Sequence, residues 1–200
     1  PHDFQRAQMI VNTSGWDTDC NAANVGCLQG IMLGLEGIDA GADFRGPVAD
    51  RMLISSADGG FSINDAVRMA YYISGLGQRL AGGLEPAAPK DGAQFHFSLP
   101  GSRQGFRARE GHGRNVPEVA NVEAGGSRAL AVSYRALAPG QVCAATTPTF
   151  SPPEMLNMRT YDLMATPLVY PGQLARARVT APPSNRGAVS ARLCVRVYDE

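Results

Sequence analysis

Three glycines at strict four-residue spacing, Gly26, Gly30 and Gly34, sit inside an otherwise apolar run of Val25, Leu28, Ile31, Met32, Leu33 and Leu35. Glycine in a helix interior costs about 1 kcal/mol relative to alanine, so a bare stripe of three calls for close approach by neighbouring helices. The spacing predicts a buried helix that starts near Asn21 and ends around Glu36-Gly37. Small-xxx-small stripes also serve membrane helices. Here Asn21, Asn24, Gln29 and Glu36 interrupt the run well short of the ~20 apolar residues that a span requires, so the reading is a buried helix of a soluble helical domain.

Around that helix the chain divides in two. Residues 3–11 suit a helix with Asp3 as N-cap, or a strand over Ala7–Val11. Residues 38–61 read as irregular, with a short helix near 47–53 and a turn at Asp58-Gly59-Gly60. Ser62-Ile63-Asn64-Asp65 has the form of a capping box, and Ile63, Val67, Ala70, Tyr71 and Leu80 continue it as a helix to about Ala81. Glycine and proline dominate from Gly82 to Pro89, which marks a linker. Beyond it, strand-like runs recur at 94–99, 128–134, 141–146, 161–165, 173–180 and 188–198, separated by Pro-Gly and Pro-Pro turns. That punctuation predicts an antiparallel β-sandwich or jelly roll.

Several classes of function receive no support. The formal net charge is zero, so nothing draws the chain broadly to nucleic acid or to an anionic membrane. Cys20, Cys27, Cys143 and Cys194 form neither a scaffold nor a CxxC pair. On one helix Cys20 and Cys27 would lie about 10 Å apart, beyond the roughly 7 Å limit for a disulfide. Cys143 and Cys194 can pair or remain buried thiols. His2, His96 and His112 are far apart in sequence and read as solvated or hydrogen-bonded side chains. Walker A, HExxH and GxSxG motifs are absent. Asn12-Thr13-Ser14 fits a glycosylation sequon, best explained as chance. No secretory signal is visible, which leaves localisation open with the cytoplasm favoured. The opening Pro1-His2-Asp3 suggests a chain cut from something longer.

The chemically loaded stretch is Gly15-Trp16-Asp17-Thr18-Asp19-Cys20-Asn21. Two acids at a loop entering a helix can simply cap it. They can also converge on a hard divalent cation such as Mg²⁺, provided they outweigh the positive helix N-terminus. Trp16 can stack on a substrate or pack beside the helix.

The longer string, Gly15 to Ala23 followed by Gly26 and Gly30, resembles the C-terminal metal motif of the ADP-ribosylglycohydrolase family, and residues 62–81 are similar to that family's final helix. The resemblance spans residues 3–82. It implies an all-helical bundle with a Mg²⁺ pair, hydrolysing the glycosidic bond at the distal ribose of ADP-ribosyl groups or related substrates. Asp17 and Asp19 would be metal ligands, with Cys20 at a position that often supplies a hydroxyl ligand. Gly15, Trp16 and Thr18 would meet substrate or shape the turn around it. The family's remaining ligands include an Asp-Asp run that this sequence lacks, so it carries half of a metal site and expects a missing N-terminal half as partner.

The resulting expectation is a multidomain α and β chain: an all-α ADP-ribosylglycohydrolase-like helical portion over 1–83, then an antiparallel β-sandwich accessory domain over 84–200. Its expected function is that of the C-terminal portion of a Mg²⁺-dependent hydrolase, inactive without the missing half. Two alternatives stay open: a non-catalytic ADP-ribose binder, suggested by Cys20, or a carbohydrate- or nucleotide-binding sandwich using Phe106, Phe150 or Tyr170.

Overall fold

The computed structural model describes residues 2–54, 61–109, 116–152 and 166–197. Helices α1 (Phe4–Asn12) and α2 (Thr18–Asp39) form an antiparallel hairpin. Asp3 caps α1 as expected, its Oδ1 accepting the Arg6 N–H at 2.8 Å. At the other end the Thr13 hydroxyl donates back to the Met9 carbonyl at 2.8 Å, and Gly15, at φ +75°, turns the chain into α2.

The three glycines of the stripe do three different things. Gly26 permits close approach of α1: a Cβ there would stand 3.0 Å from Gln8 Nε2, which donates to the Ala22 carbonyl. Gly30 faces Ile38. Gly34 breaks the helix, at φ +66° and ψ −173°. That combination is essentially reserved for glycine and costs other residues about 1–3 kcal/mol. Space is not limiting, since nothing lies within 4 Å of a Cβ at Gly34. Gly34→Ala is therefore expected to lower the unfolding free energy by about 2 kcal/mol through backbone strain alone, read from urea midpoints; an unchanged midpoint would show that the kink is not held.

Strands β1 (Arg51–Leu53) and β2 (Ile63–Asp65) pair antiparallel, and β2 runs directly into α3 (Ala66–Leu80). The capping residue is Asp65, whose Oδ1 accepts the Arg68 N–H at 2.9 Å. Ser62 therefore does not start this helix, as the sequence pattern suggested; it precedes β2. Residues 47–53 are a turn and β1 rather than a helix, and the expected turn at 58–60 lies outside the described residues.

The best-buried part of the molecule is polar. Among the described residues the buried apolar side chains are few, namely Ala7, Ala49, Ile63, Val67 and Val119. Gln104, only 1% exposed, binds in several directions. Its Nε2 donates to the Gln94 carbonyl at 3.0 Å and to the Asp65 carboxylate at 3.4 Å, and its Oε1 accepts the Phe97 N–H at 2.7 Å. Asp50 accepts the Arg103 and Gln104 N–H groups at 2.5 and 2.9 Å. Asn121 donates to the carbonyls of Phe97 and Ser102. The network ties residues 50–65 to residues 94–121, across the composition break at 82–89. Phe95, Phe97 and Phe106 pack edge-on beside it.

His96 is buried here, edge-on to Tyr71 at 5.2 Å, with Nδ1 accepting the Ser98 N–H at 3.1 Å. Burial pushes its pKa below the ordinary 6.5, Asp65 opposing and Lys90 reinforcing the shift. The fold therefore prefers neutral His96. Its contribution is complete above the unfolded value and is lost as pH falls through the lowered one. Burial raises Asp65 above the ordinary 3.8, which acts in the opposite sense: that contribution is lost as pH rises through the raised value. Urea midpoints are expected to fall on acidification below about pH 6.5, and His96→Gln to flatten that slope. An identical slope in the variant would assign it elsewhere.

The remaining strands are β3 (Arg107–Arg109), β4 (Glu118–Ala124), β5 (Ser127–Ser133) and β6 (Ala144–Thr146). They form two separate antiparallel pairs, β3 with β6 and β4 with β5. The expected architecture is thus overturned on both sides. The portion over 1–83 is not all-α, because β1 and β2 lie within it, and the described residues of 84–200 hold two-stranded ribbons rather than a β-sandwich or jelly roll.

The reason is physical: alternation makes a strand only where an edge and a covering layer are available. Run 128–134 finds β4 and becomes β5, and the end of 141–146 becomes β6. Run 94–99 is irregular, since Phe97 adopts φ +53° and gives its N–H to Gln104. Runs 173–180 and 188–197 form no strand among the described residues, and Leu174, Val179, Leu193, Val195 and Val197 are 64–75% exposed. Run 161–165 lies outside the described residues. All four cysteines are free; Cys143 is half-buried and Cys194 exposed.

Candidate functional site

The loop 13–17 delivers its acids to the start of α2 in a way simple capping does not explain. Asp17 is the residue before the helix, yet its carboxylate makes no capping hydrogen bond. It turns instead toward Asp19 and Cys20: one ligand atom from each of the three residues lies within 4.8 Å of the others, all exposed. Two ligands on one octahedral Mg²⁺ stand about 3 Å apart, given metal–oxygen distances near 2.1 Å, so modest side-chain rotation brings the carboxylates to that spacing.

The electrostatics follow from the crowding. Asp19 is held below the usual carboxylate range, first by its side-chain hydrogen bond with Asp17 and then by the N–H groups of Asp19 and Cys20. Cys20 is pushed up, by its hydrogen bond to Asp17 and by the charges of both aspartates. The thiol is therefore protonated at neutral pH. A protonated soft donor is a poor partner for Mg²⁺, whereas two carboxylates are good ones. The aspartates fit the implied metal, and Cys20 fits it least.

The other expected residues flank the cluster. Gly15 has open space where a Cβ would stand, Thr18 is the first residue of α2, and Trp16 is 77% exposed. Of the two readings of Trp16, packing against the helix is not what the structure has. The other acids gather elsewhere. A cleft of about 180 Å³ beyond the end of α2 is lined by Asp39, Asp43, Arg45, Asp50 and Arg103, but Arg45 already pairs with Asp39 at 2.9 Å and Asp50 holds backbone N–H groups. The buried set of Asp65, His96 and Gln104 escaped the sequence reading, because residues so far apart in the chain offered no spacing signal. Gln104 holds Asp65, while His96 accepts the Ser98 N–H and packs on Tyr71.

Comparison with protein-family models, with curated proteins and with solved structures finds no match to this chain. No helix among the described residues is long and apolar enough to cross a membrane.

Proposed function

We propose that this chain carries one half of a divalent-metal site in a hydrolase that cleaves an ADP-ribosyl or related N- or O-glycosidic bond. Asp17 and Asp19 hold Mg²⁺, and carboxylates from a further stretch of protein complete the site. The observation that carries this reading is the convergence of the Asp17 carboxylate, which makes no capping hydrogen bond, with that of Asp19 on one exposed face, within a sequence resembling the family's metal motif. Bound there, the metal would supply Lewis-acid polarisation of substrate oxygens. The chain's own residues bind and orient: Trp16 offers a stacking face for the substrate, and Gly15 leaves its backbone open to close approach.

Trp16 is the only tryptophan, so its fluorescence reports the site without a label. ADP-ribose is expected to quench it saturably with Mg²⁺ present and not after Asp17→Asn/Asp19→Asn, while the chain alone releases no ADP-ribose from an ADP-ribosyl-arginine analogue. Quenching independent of Mg²⁺ and of the two aspartates would contradict the reading, as would turnover by these 200 residues alone. Cys20 supports a second reading, a scaffold that binds ADP-ribose without cleaving it. In the complete protein, gain of turnover on Cys20→Thr would favour that one.

A further inference from the structure

The charges of this neutral chain are segregated. Residues 7–44 carry Asp17, Asp19, Glu36, Asp39 and Asp43 with no Lys or Arg, whereas residues 166–197 carry five arginines and no acid. The acids of the first stretch and nearly all of the second are exposed, and both stretches present exposed apolar side chains. On α2, Leu28, Ile31 and Met32 are 51–80% exposed, and no residue of the helix is fully buried. On the other side, residues 171–184 and 186–197 are exposed throughout without forming strands.

We propose that a second copy of this chain lays its arginine-bearing segment, residues 171–197, along the acidic and apolar face of α2. Three observations choose this occupant. Charge complementarity is the first: Asp39 is taken by Arg45 and Asp43 by the loop N–H groups of Arg45 and Gly46, which leaves Asp17 and Asp19 at one end of α2 and Glu36 near the other. The second is pattern. In an extended chain Leu174, Arg176 and Arg178 share one face, and Leu174 is exposed, so that face can meet acid and apolar surface together. The third is reach. The segment is tied down in its own chain by the Leu168 N–H to the Thr149 carbonyl and by Tyr134 to Asn185, at 2.8 and 3.0 Å. Beyond Asn185 the described residues run to Val197 and can extend about 40 Å. The straight part of α2, Thr18–Leu33, is about 24 Å long. Such a head-to-tail contact joins different patches on the two copies, so it builds chains of copies unless the rotation closes.

Sedimentation velocity of the 200-residue chain in EDTA tests this with the metal half-site out of play. Mass-action association is expected at low ionic strength, weakening at least tenfold between about 20 mM and about 500 mM salt as screening shortens. Arg176→Glu/Arg178→Glu is expected to abolish it, and Glu36→Arg to weaken it; mixing those two variants restores association as pairs, because each supplies the unaltered patch that the other lacks. Circular dichroism checks that each variant is folded. Three results would overturn the proposal: a monomer at every concentration, association indifferent to salt and to both variants, which would mark apolar pairing of α2 with α2, or association lost on nuclease treatment, which would mark a nucleic-acid bridge.

Discussion

Replacing Gln104 with leucine is expected to lower the unfolding free energy by about 3 kcal/mol. The side chain is 1% exposed and uses both ends of its amide. Leucine matches its bulk and none of its hydrogen bonds. The Phe97 N–H would lose its acceptor and the Gln94 carbonyl a donor in half-buried settings, and the Asp65 carboxylate a donor in a buried one, where an unmade bond costs about 1–3 kcal/mol. Asp65 suffers most, because burial already raises its pKa and the Gln104 amide is one of the partners lowering it. The variant should therefore also move the pH at which Asp65 titrates further upward. Urea unfolding at neutral pH reads the first effect, and a loss below about 0.5 kcal/mol, the usual size for a surface change, would show that the polar centre is not what joins residues 50–65 to 94–121.

The second large effect concerns metal. Asp17→Asn and Asp19→Asn are each expected to reduce Mn²⁺ affinity, measured by electron paramagnetic resonance of the free ion, by at least about tenfold, since even outer-shell partners of metal sites cost 10–100-fold. The double variant should show no saturable binding. Cys20→Ala is expected to change affinity less than about threefold, because the thiol is protonated beside Asp17 and soft donors are poor ligands for hard ions. Equal losses from all three substitutions would make Cys20 a ligand and shift the identity of the metal toward a softer ion.

The parts of the molecule legible in the sequence are those governed by local chemistry. Asp3 capped α1 and Gly26 let the helices approach, because each follows from one residue and its neighbours; Gly15, read only for backbone approach to substrate, proved to turn the chain. Gly34 was read as part of the same stripe, yet its positive φ ends the straight helix; spacing alone does not separate a packing glycine from a kink. The acids of the candidate site were visible because Asp17 and Asp19 are two residues apart. Gln104, His96 and Asp65 were not, because their association depends on long-range closure. The expected β-sandwich failed for the same reason: Val189, Leu193 and Val195 have the alternation of a strand but no ladder partner among the described residues.

The most direct test of the half-site is a Mg²⁺ titration of the chain followed by backbone amide shifts. A saturable shift confined to Trp16 through Asn21 is expected by about 10 mM, weaker than the ~10⁻³ M of complete but loose oxygen sites, and absent in Asp17→Asn/Asp19→Asn. The same shifts in that double variant, or none that saturate in the native chain, would contradict it.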